Sequence, residues 1–106
     1  MNTDKQRFSQ LIRTLRQQYK KEIEGIDTFK DINAGQCVDF AWDLIEKADK
    51  KKILGAQYRT DKQEAHAWVK FQGRYYDAEV PRGAKHWWDL PFWKRRRVMK
   101  EEGLDR

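Results

Sequence analysis

The chain has 106 residues, which is enough for one domain (1–106) with one modest core and too few for a second. Its 23 Lys and Arg against 17 Asp and Glu give a formal net charge of +6, which permits contact with nucleic acid or an acidic partner without requiring either. A single cysteine excludes an internal disulfide. The sequence has no signal-peptide pattern and no apolar run of roughly 18 residues, so we expect no membrane partner. We expect a cytoplasmic location, with a secreted protein that lacks disulfides as the alternative.

The first predicted element is an amphipathic helix that packs on the core and does no chemistry. Thr3 and Gln6 have the spacing of a capping box, and Gly25 marks the expected end of the helix. Residues 25–36 are predicted to form a loop that leads into the next helix. The apolar face of the first helix follows helical spacing and consists of Phe8, Leu11, Ile12, Leu15 and Tyr19.

The second predicted helix, residues 36–50, is apolar around most of its circumference, which is typical of a central helix. Cys37 lies in its first turn, where unpaired N–H groups and the helix dipole favour the thiolate. Asp39 in the same turn stabilises the helix but disfavours a second negative charge beside it. Ionisation of Cys37 is therefore expected to depend on a histidine rather than on the dipole alone.

A strand over residues 53–59 and a hairpin are predicted next. Residues 65–71 and 74–79 have the aromatic and β-branched content of strands, and Gln72-Gly73 supplies a two-residue turn between them. A last helix is predicted to be capped by Asp89 and to end at Gly103. The order helix, helix, strands, helix predicts the α+β class.

The hairpin turn fixes which side chains share a face. If Phe71 pairs with Arg74, His66 lies opposite Glu79 and Trp68 lies opposite Asp77, and these last four residues project from one face. His66 and Asp77 are then diagonal neighbours, about 7–8 Å apart by backbone, and their side chains can bridge that gap by a hydrogen bond. A slip of one residue would put them on opposite faces.

Together these residues supply a nucleophile, a base and an orienting group. Cys37 would attack an electrophilic carbonyl, His66 would take the thiol proton and later protonate the leaving group, and Asp77 would fix the imidazole tautomer. The backbone N–H of Cys37 is a candidate oxyanion donor, and Gln36 and Asn33 are candidates for a second donor by proximity only.

Simpler explanations exist for each residue taken singly. A lone cysteine is most often a small buried residue, and a strand histidine is most often a packed one. His86 is a weaker alternative base, because no predicted strand fixes it. A zinc site formed by Cys37, His66, His86 and Asp77 lacks ligand-like spacing, so we expect no metal and no cofactor.

Several segments resemble motifs of the transglutaminase-like proteins, in the order in which that family has them. Residues 35–41 (GQCVDFA) resemble its nucleophile segment, Gly-x-Cys-x-Asp-(Phe/Tyr)-Ala. Residues 65–69 (AHAWV) resemble its His-Ala-Trp-Val strand, and residues 73–77 (GRYYD) resemble the following Gly-x-(Trp/Tyr)-x-x-Asp strand. Residues 54–59 (LGAQYR) are similar to the strand that lies between the first two motifs.

This resemblance implies a papain-like α+β fold, in which a central Cys-bearing helix packs on a small antiparallel β-sheet. It also implies a Cys37-His66-Asp77 triad that acts on an amide or peptide bond through an acyl-enzyme, as in a thiol protease, an amidase or an acyl transferase. Two positions depart from the family pattern. Ala78 stands where members often have Pro, and the oxyanion Gln of papain-type enzymes falls on Asp31.

The C-terminal stretch combines aromatic and basic residues, and two interpretations compete. In one, the aromatic residues close the core. In the other, Trp87 or Trp88 walls a substrate groove beside Cys37, with Trp68 and Glu79 as further candidate substrate contacts, and the basic run 94–97 holds an acidic substrate or partner. A second hypothesis keeps the fold without activity and predicts a basic protein that binds nucleic acid or an acidic protein partner.

Overall fold

The computed structural model describes residues 2–101, with side chains up to residue 98. These residues form an α+β domain, which confirms the predicted class, while the expected helix end at Gly103 lies outside them. The α-helices are α1 (Asp4–Glu22), α2 (Phe29–Gly35), α3 (Cys37–Lys50) and α4 (Pro91–Glu101), and a 3-10 helix lies at Trp87–Asp89. The antiparallel sheet contains β1 (Gln57–Thr60), β2 (Ala67–Phe71) and β3 (Arg74–Tyr76) in that order.

Helix α1 begins at the predicted capping box. The Gln6 N–H donates to Thr3 Oγ1 at 3.1 Å and the Thr3 N–H donates to Gln6 Oε1 at 2.8 Å. These bonds satisfy donors that the start of a helix leaves unpaired. The predicted apolar face is buried throughout, as expected for a helix that covers the core. The helix ends at Glu22, shortly before the predicted Gly25.

Helix α2 occupies the segment predicted as a loop, so that prediction is wrong. Thr28 and Asp31 form a second capping box, in which the Asp31 N–H donates to Thr28 Oγ1 at 3.3 Å and the Thr28 N–H donates to Asp31 Oδ2 at 2.9 Å. The helix is short and ends at Gly35, and Gln36 both follows its last residue and precedes the first residue of α3. The chain therefore turns sharply at Gln36, and this corner places Cys37 at the start of α3.

Helix α3 is the central helix, as predicted. It contacts α1, α2, β1 and β2, and it buries Phe40, Ala41, Leu44 and Ala48. A Cys-bearing helix thus packs on a small antiparallel sheet, which confirms this coarse feature of the expected architecture.

The hairpin register also agrees with the prediction. Phe71 pairs with Arg74, and Gln72 and Gly73 both have positive φ values of 47° and 77°, as a tight two-residue turn requires. Strand β3 is shorter than predicted, because it ends at Tyr76 rather than at residue 79. Strand β1 begins at Gln57 rather than at residue 53.

The end of β3 has a local chemical cause. Asp77 Oδ1 accepts a hydrogen bond from the Glu79 N–H at 2.9 Å, and the Asp77 carbonyl accepts one from the Val80 N–H at 3.2 Å. Such side-chain to backbone bonds favour a turn over a continued strand. Glu79 therefore does not pair with His66 across the hairpin, although Asp77 remains beside the start of β2.

The chain then folds back along β3 and ends in α4. Tyr75 and Ala84 exchange backbone hydrogen bonds of 2.9 and 2.7 Å, and the 3-10 helix at Trp87–Asp89 follows. Asp89 is the last residue of that 3-10 helix, and α4 begins at Pro91. Among the described helices, none combines the length and apolar character that crossing a membrane requires.

Candidate active site

His66 and Asp77 form a buried pair beside the start of β2. His66 is fully buried and Asp77 is 3% exposed, and His66 Nε2 lies 3.0 Å from Asp77 Oδ2. The second carboxylate oxygen of Asp77 is held by the Glu79 N–H. His66 Nδ1 has no hydrogen-bond partner within residues 2–101. The ring is thus oriented by one nitrogen, and the other nitrogen remains for a reacting group.

The backbone of His66 is held as firmly as its ring. The His66 N–H donates to Asp61 Oδ1 at 3.2 Å, and its carbonyl accepts from Thr60 Oγ1 at 2.9 Å. Thr60 is the last residue of β1, which runs antiparallel to β2, and Asp61 directly follows it. The sheet edge therefore fixes the position of the histidine independently of Asp77.

Cys37 is half-buried at the first position of α3, where it interacts with His66. Burial acts to raise the pKa of the Cys37 thiol, but the His66 side chain and the backbone of Ala67 and Val38 outweigh it, so that the pKa lies below its ordinary value. Burial acts to lower the pKa of His66, but the Asp77 and Cys37 side chains raise it above its ordinary value. Each of the two groups therefore favours the charged form of the other.

Aromatic side chains from α4 enclose the imidazole. The Phe92 ring is stacked on His66 at a centroid distance of 4.3 Å and an interplanar angle of 16°, and Trp93 approaches edge-on at 6.2 Å. Trp68 lies at 6.0 Å from the same ring. These rings keep water from the His66–Asp77 pair, which strengthens its electrostatic interaction. The role of Phe92 was not predicted, because no local pattern links a residue of α4 to the start of β2.

Glu79 and Trp68, two predicted substrate-contacting residues, are engaged within the protein. Glu79 forms an ion pair with Arg95, with contacts of 2.6 and 2.9 Å, and it accepts a hydrogen bond from Asn33 Nδ2 at 3.1 Å. Trp68 is 6% exposed and is stacked with Trp87 at 5.8 Å. Both residues are therefore engaged in contacts within the protein and are mostly shielded from solvent.

Trp87 and Trp88, in contrast, are 39% and 46% exposed and line an open cleft of about 450 Å³. The cleft reaches Ala65, the neighbour of His66 in the chain, but Cys37 is not among its lining residues. Three tryptophans and two arginines give it a basic and aromatic character; its lining consists of Asp61, Gln63, Ala65, Trp87, Trp88, Trp93, Arg96 and Arg97.

The structure distinguishes between the two candidates for a second oxyanion donor, Asn33 and Gln36. The amide nitrogen of Asn33 donates to Glu79, so that side chain is engaged away from the thiol. Asp31, at the position of the papain-type oxyanion Gln, belongs to the capping box of α2, and its carboxylate accepts hydrogen bonds rather than donating them. Gln36 is half-buried directly before Cys37 and makes no side-chain capping bond to α3. Gln36 therefore remains the candidate beside the Cys37 N–H, which by its position at the helix start has no intrahelical acceptor.

The alternative assignments lie apart from this pair. His86 is stacked on Trp88 at 4.4 Å with an interplanar angle of 4°, and it is associated with the cleft rather than with Cys37. Within residues 2–101, no group of three or more His, Cys, Asp and Glu side chains is arranged to hold a metal ion.

One further feature near the thiol was not predicted. Trp42, which is 53% exposed on α3, is stacked on Tyr58 at 4.5 Å with an angle of 8°. Burial raises the pKa of Tyr58, and the charges of Cys37 and Glu64 add to this increase, which places Tyr58 near the thiol. The exposed Trp42 and the partly buried Tyr58 therefore form a stacked aromatic pair near Cys37.

The arrangement can perform nucleophilic chemistry. A half-buried thiol with a lowered pKa lies beside a histidine that is held by a buried carboxylate, which is the set of parts that an acyl-transfer site requires. We compared the chain with models of known protein families, with curated proteins and with solved structures, and none of them matched.

Proposed function

We propose that this protein is a cysteine-dependent hydrolase or acyl transferase that acts on an amide or peptide bond. The observation that carries the proposal is the buried His66–Asp77 contact of 3.0 Å, which leaves His66 Nδ1 for the proton of Cys37. A base whose far nitrogen is held by a carboxylate, next to a thiol with a lowered pKa, is the feature that separates a reactive cysteine from an inert buried one.

The geometry supports a two-step reaction. The Cys37 proton moves to His66 Nδ1, and the thiolate forms a bond with the carbonyl carbon while the carbonyl electron pair moves to oxygen. The Cys37 N–H stabilises this oxyanion. The tetrahedral intermediate expels the amine, which takes the proton from Nδ1 and leaves a thioester on Cys37. Water or a second amine then gives a proton to Nδ1 and forms a bond with the thioester carbonyl carbon. The C–S bond breaks, the acyl group leaves on the attacking oxygen or nitrogen, and the Nδ1 proton returns to the Cys37 thiolate.

The proposal includes a minimal papain-like fold of the transglutaminase-like class. It is supported by chain order, because a helix that begins with the cysteine is followed by a hairpin that carries the histidine and then the aspartate. Hydrolysis is favoured over cross-linking because nothing in the described residues identifies a site for an acceptor amine. A reducing compartment such as the cytoplasm would keep the single thiol free.

We expect Cys37 to be alkylated by iodoacetamide at about pH 6, where an ordinary thiol is almost fully protonated. Cys37→Ala should abolish this labelling and any hydrolysis of peptide amides, while far-UV circular dichroism stays unchanged. Because the chain has one cysteine, mass spectrometry of the labelled protein reports this thiol alone. A wild-type alkylation rate that rises only near pH ~8.5, as for a free thiol, would contradict the catalytic role.

A second candidate function, binding of single-stranded nucleic acid, is favoured by the exposed tryptophans and the arginines of the cleft. Arg96→Glu/Arg97→Glu should then weaken binding of a fluorescent oligonucleotide by at least about tenfold and reduce its salt dependence. Arg95 is left unchanged because it pairs with Glu79. The control Lys50→Glu/Lys51→Glu changes the net charge equally at the far end of α3, and an equal loss of binding there would refute a specific cleft.

A further inference from the structure

We propose that Glu79 and Arg95 are positioning residues of this site, because their ion pair holds both the turn that carries Asp77 and the helix that covers His66. The inference rests on the proposed function, since it concerns how the Cys37-His66-Asp77 arrangement is kept in place. Neither residue is required to touch a substrate in this role.

Glu79 joins three parts of the protein. Its backbone N–H donates to Asp77 Oδ1 at 2.9 Å, and its carboxylate receives the Asn33 amide of α2 at 3.1 Å. Both carboxylate oxygens also contact Arg95 of α4, at 2.6 and 2.9 Å, in a fork-to-fork arrangement. The Glu79 side chain is 15% exposed, so this pair is better shielded from water than an ordinary surface salt bridge.

The turn of residues 77–79 is also held from α1. Arg16 Nη1 donates to the Ala78 carbonyl at 3.4 Å, and the Arg16 guanidinium lies 4.0 Å above the Phe29 ring of α2. Side chains of α1, α2 and α4 therefore converge on one short turn. A turn with so many partners is expected to hold Asp77 in a single orientation, which its hydrogen bond to His66 requires.

Arg95 connects this turn to α4. It lies three residues after Phe92, so the two side chains lie on neighbouring positions of one helix face. Phe92 stacks on His66, while Arg95 reaches Glu79, so α4 is fastened at the point where it covers the imidazole. A further polar contact of this helix, from Arg97 Nη1 to the Trp88 carbonyl at 3.3 Å, is exposed and lies farther along.

The chemistry of the pair explains why neither residue is easily replaced. Arginine offers a planar fork that matches a carboxylate in two parallel bonds, whereas lysine offers a single point charge. Glutamine at position 79 would keep the shape of the side chain and the backbone N–H to Asp77, but it would remove the charge that attracts Arg95. Glu79→Gln therefore tests the contribution of the ion pair alone, because it leaves the hydrogen bond from the backbone N–H of residue 79 to Asp77 in place.

The experiment measures the pH dependence of Cys37 alkylation in the full chain. In Arg95→Ala and Glu79→Gln, the alkylation midpoint should move upward by about one pH unit or more, toward the value of a free thiol, because His66 is no longer held and covered. Arg95→Lys should give a smaller shift. Lys50→Ala is the matched control, since it breaks an exposed ion pair with Glu46 at 3.2 Å and should leave the midpoint unchanged.

Charge exchange distinguishes positioning from general destabilisation. Glu79→Arg/Arg95→Glu restores an ion pair of reversed polarity and should move the midpoint back toward the wild-type value, in samples whose circular dichroism is that of the folded protein. Midpoints of Arg95→Ala and Glu79→Gln that equal the wild-type midpoint would overturn the inference. If Arg95→Ala does not fold, the alkylation midpoint of Glu79→Gln alone tests the inference. A wild-type midpoint near ~8.5 would instead overturn the proposed function itself.

Discussion

Replacing His66 by glutamine is expected to lower the rate of Cys37 alkylation at about pH 6 by 10- to 100-fold. The reason is ionisation: without the imidazole, burial raises the pKa of the thiol and the lowering interaction with His66 is lost. A thiol of ordinary pKa is only ~0.3% thiolate at that pH, and the greater nucleophilicity of a more basic thiolate offsets part of the loss. Turnover of a peptide amide should fall further, by about 10²–10⁴-fold, because the general acid and base is also removed.

The second histidine provides the matched control. His86→Gln removes a histidine that is stacked on Trp88, and it should leave both the alkylation rate and its pH midpoint unchanged. A loss in the His86 variant with none in the His66 variant would mean that the base has been assigned to the wrong residue. Equal losses in both would point to a general effect on folding, which circular dichroism would detect.

The predictable part of this site lies in local chemistry. Two residues with positive φ, Gln72 and Gly73, permit one tight turn, and that turn fixes the register that brings His66 and Asp77 together. A cysteine that follows a Gly-Gln corner at the start of an apolar run was likewise enough to place the thiol at a helix N-terminus. In both cases the geometry depends on residues within a few positions of each other in the chain.

The remaining features depend on contacts between distant segments. Phe92 and Arg95 follow their partners His66 and Glu79 by 26 and 16 positions, and no periodicity links them. Glu79 fits the alternating pattern of a strand, but its backbone N–H donates to the side chain of Asp77, and this bond ends the strand. The capping box of α2 was visible as Thr-x-x-Asp, but seven residues are too few for an apolar periodicity to identify a helix.

Gly83→Ala is expected to destabilise the protein by about 2–5 kcal/mol. Gly83 has a φ of +80°, which costs an L-residue about 1–2 kcal/mol, and a Cβ atom there would lie 2.7 and 2.8 Å from two ring carbons of Tyr76. The ring cannot yield easily, because Tyr76 is 1% exposed and packs edge-on against Phe8 at 4.9 Å. Urea denaturation followed by tryptophan fluorescence measures the change in the free energy of unfolding.

Gly73→Ala separates the two causes of this loss, because Gly73 has a similar φ of +77° and no atom within 4 Å of its Cβ position. It should cost only the conformational part, about 1–2 kcal/mol, and the difference between the variants gives the cost of the clash, about 1–3 kcal/mol. Tyr76 directly precedes Asp77, so displacement of its ring in Gly83→Ala should also move the carboxylate away from His66 and raise the pH midpoint of Cys37 alkylation. Equal destabilisation by the two substitutions would mean that the Tyr76 ring adapts to the added methyl group.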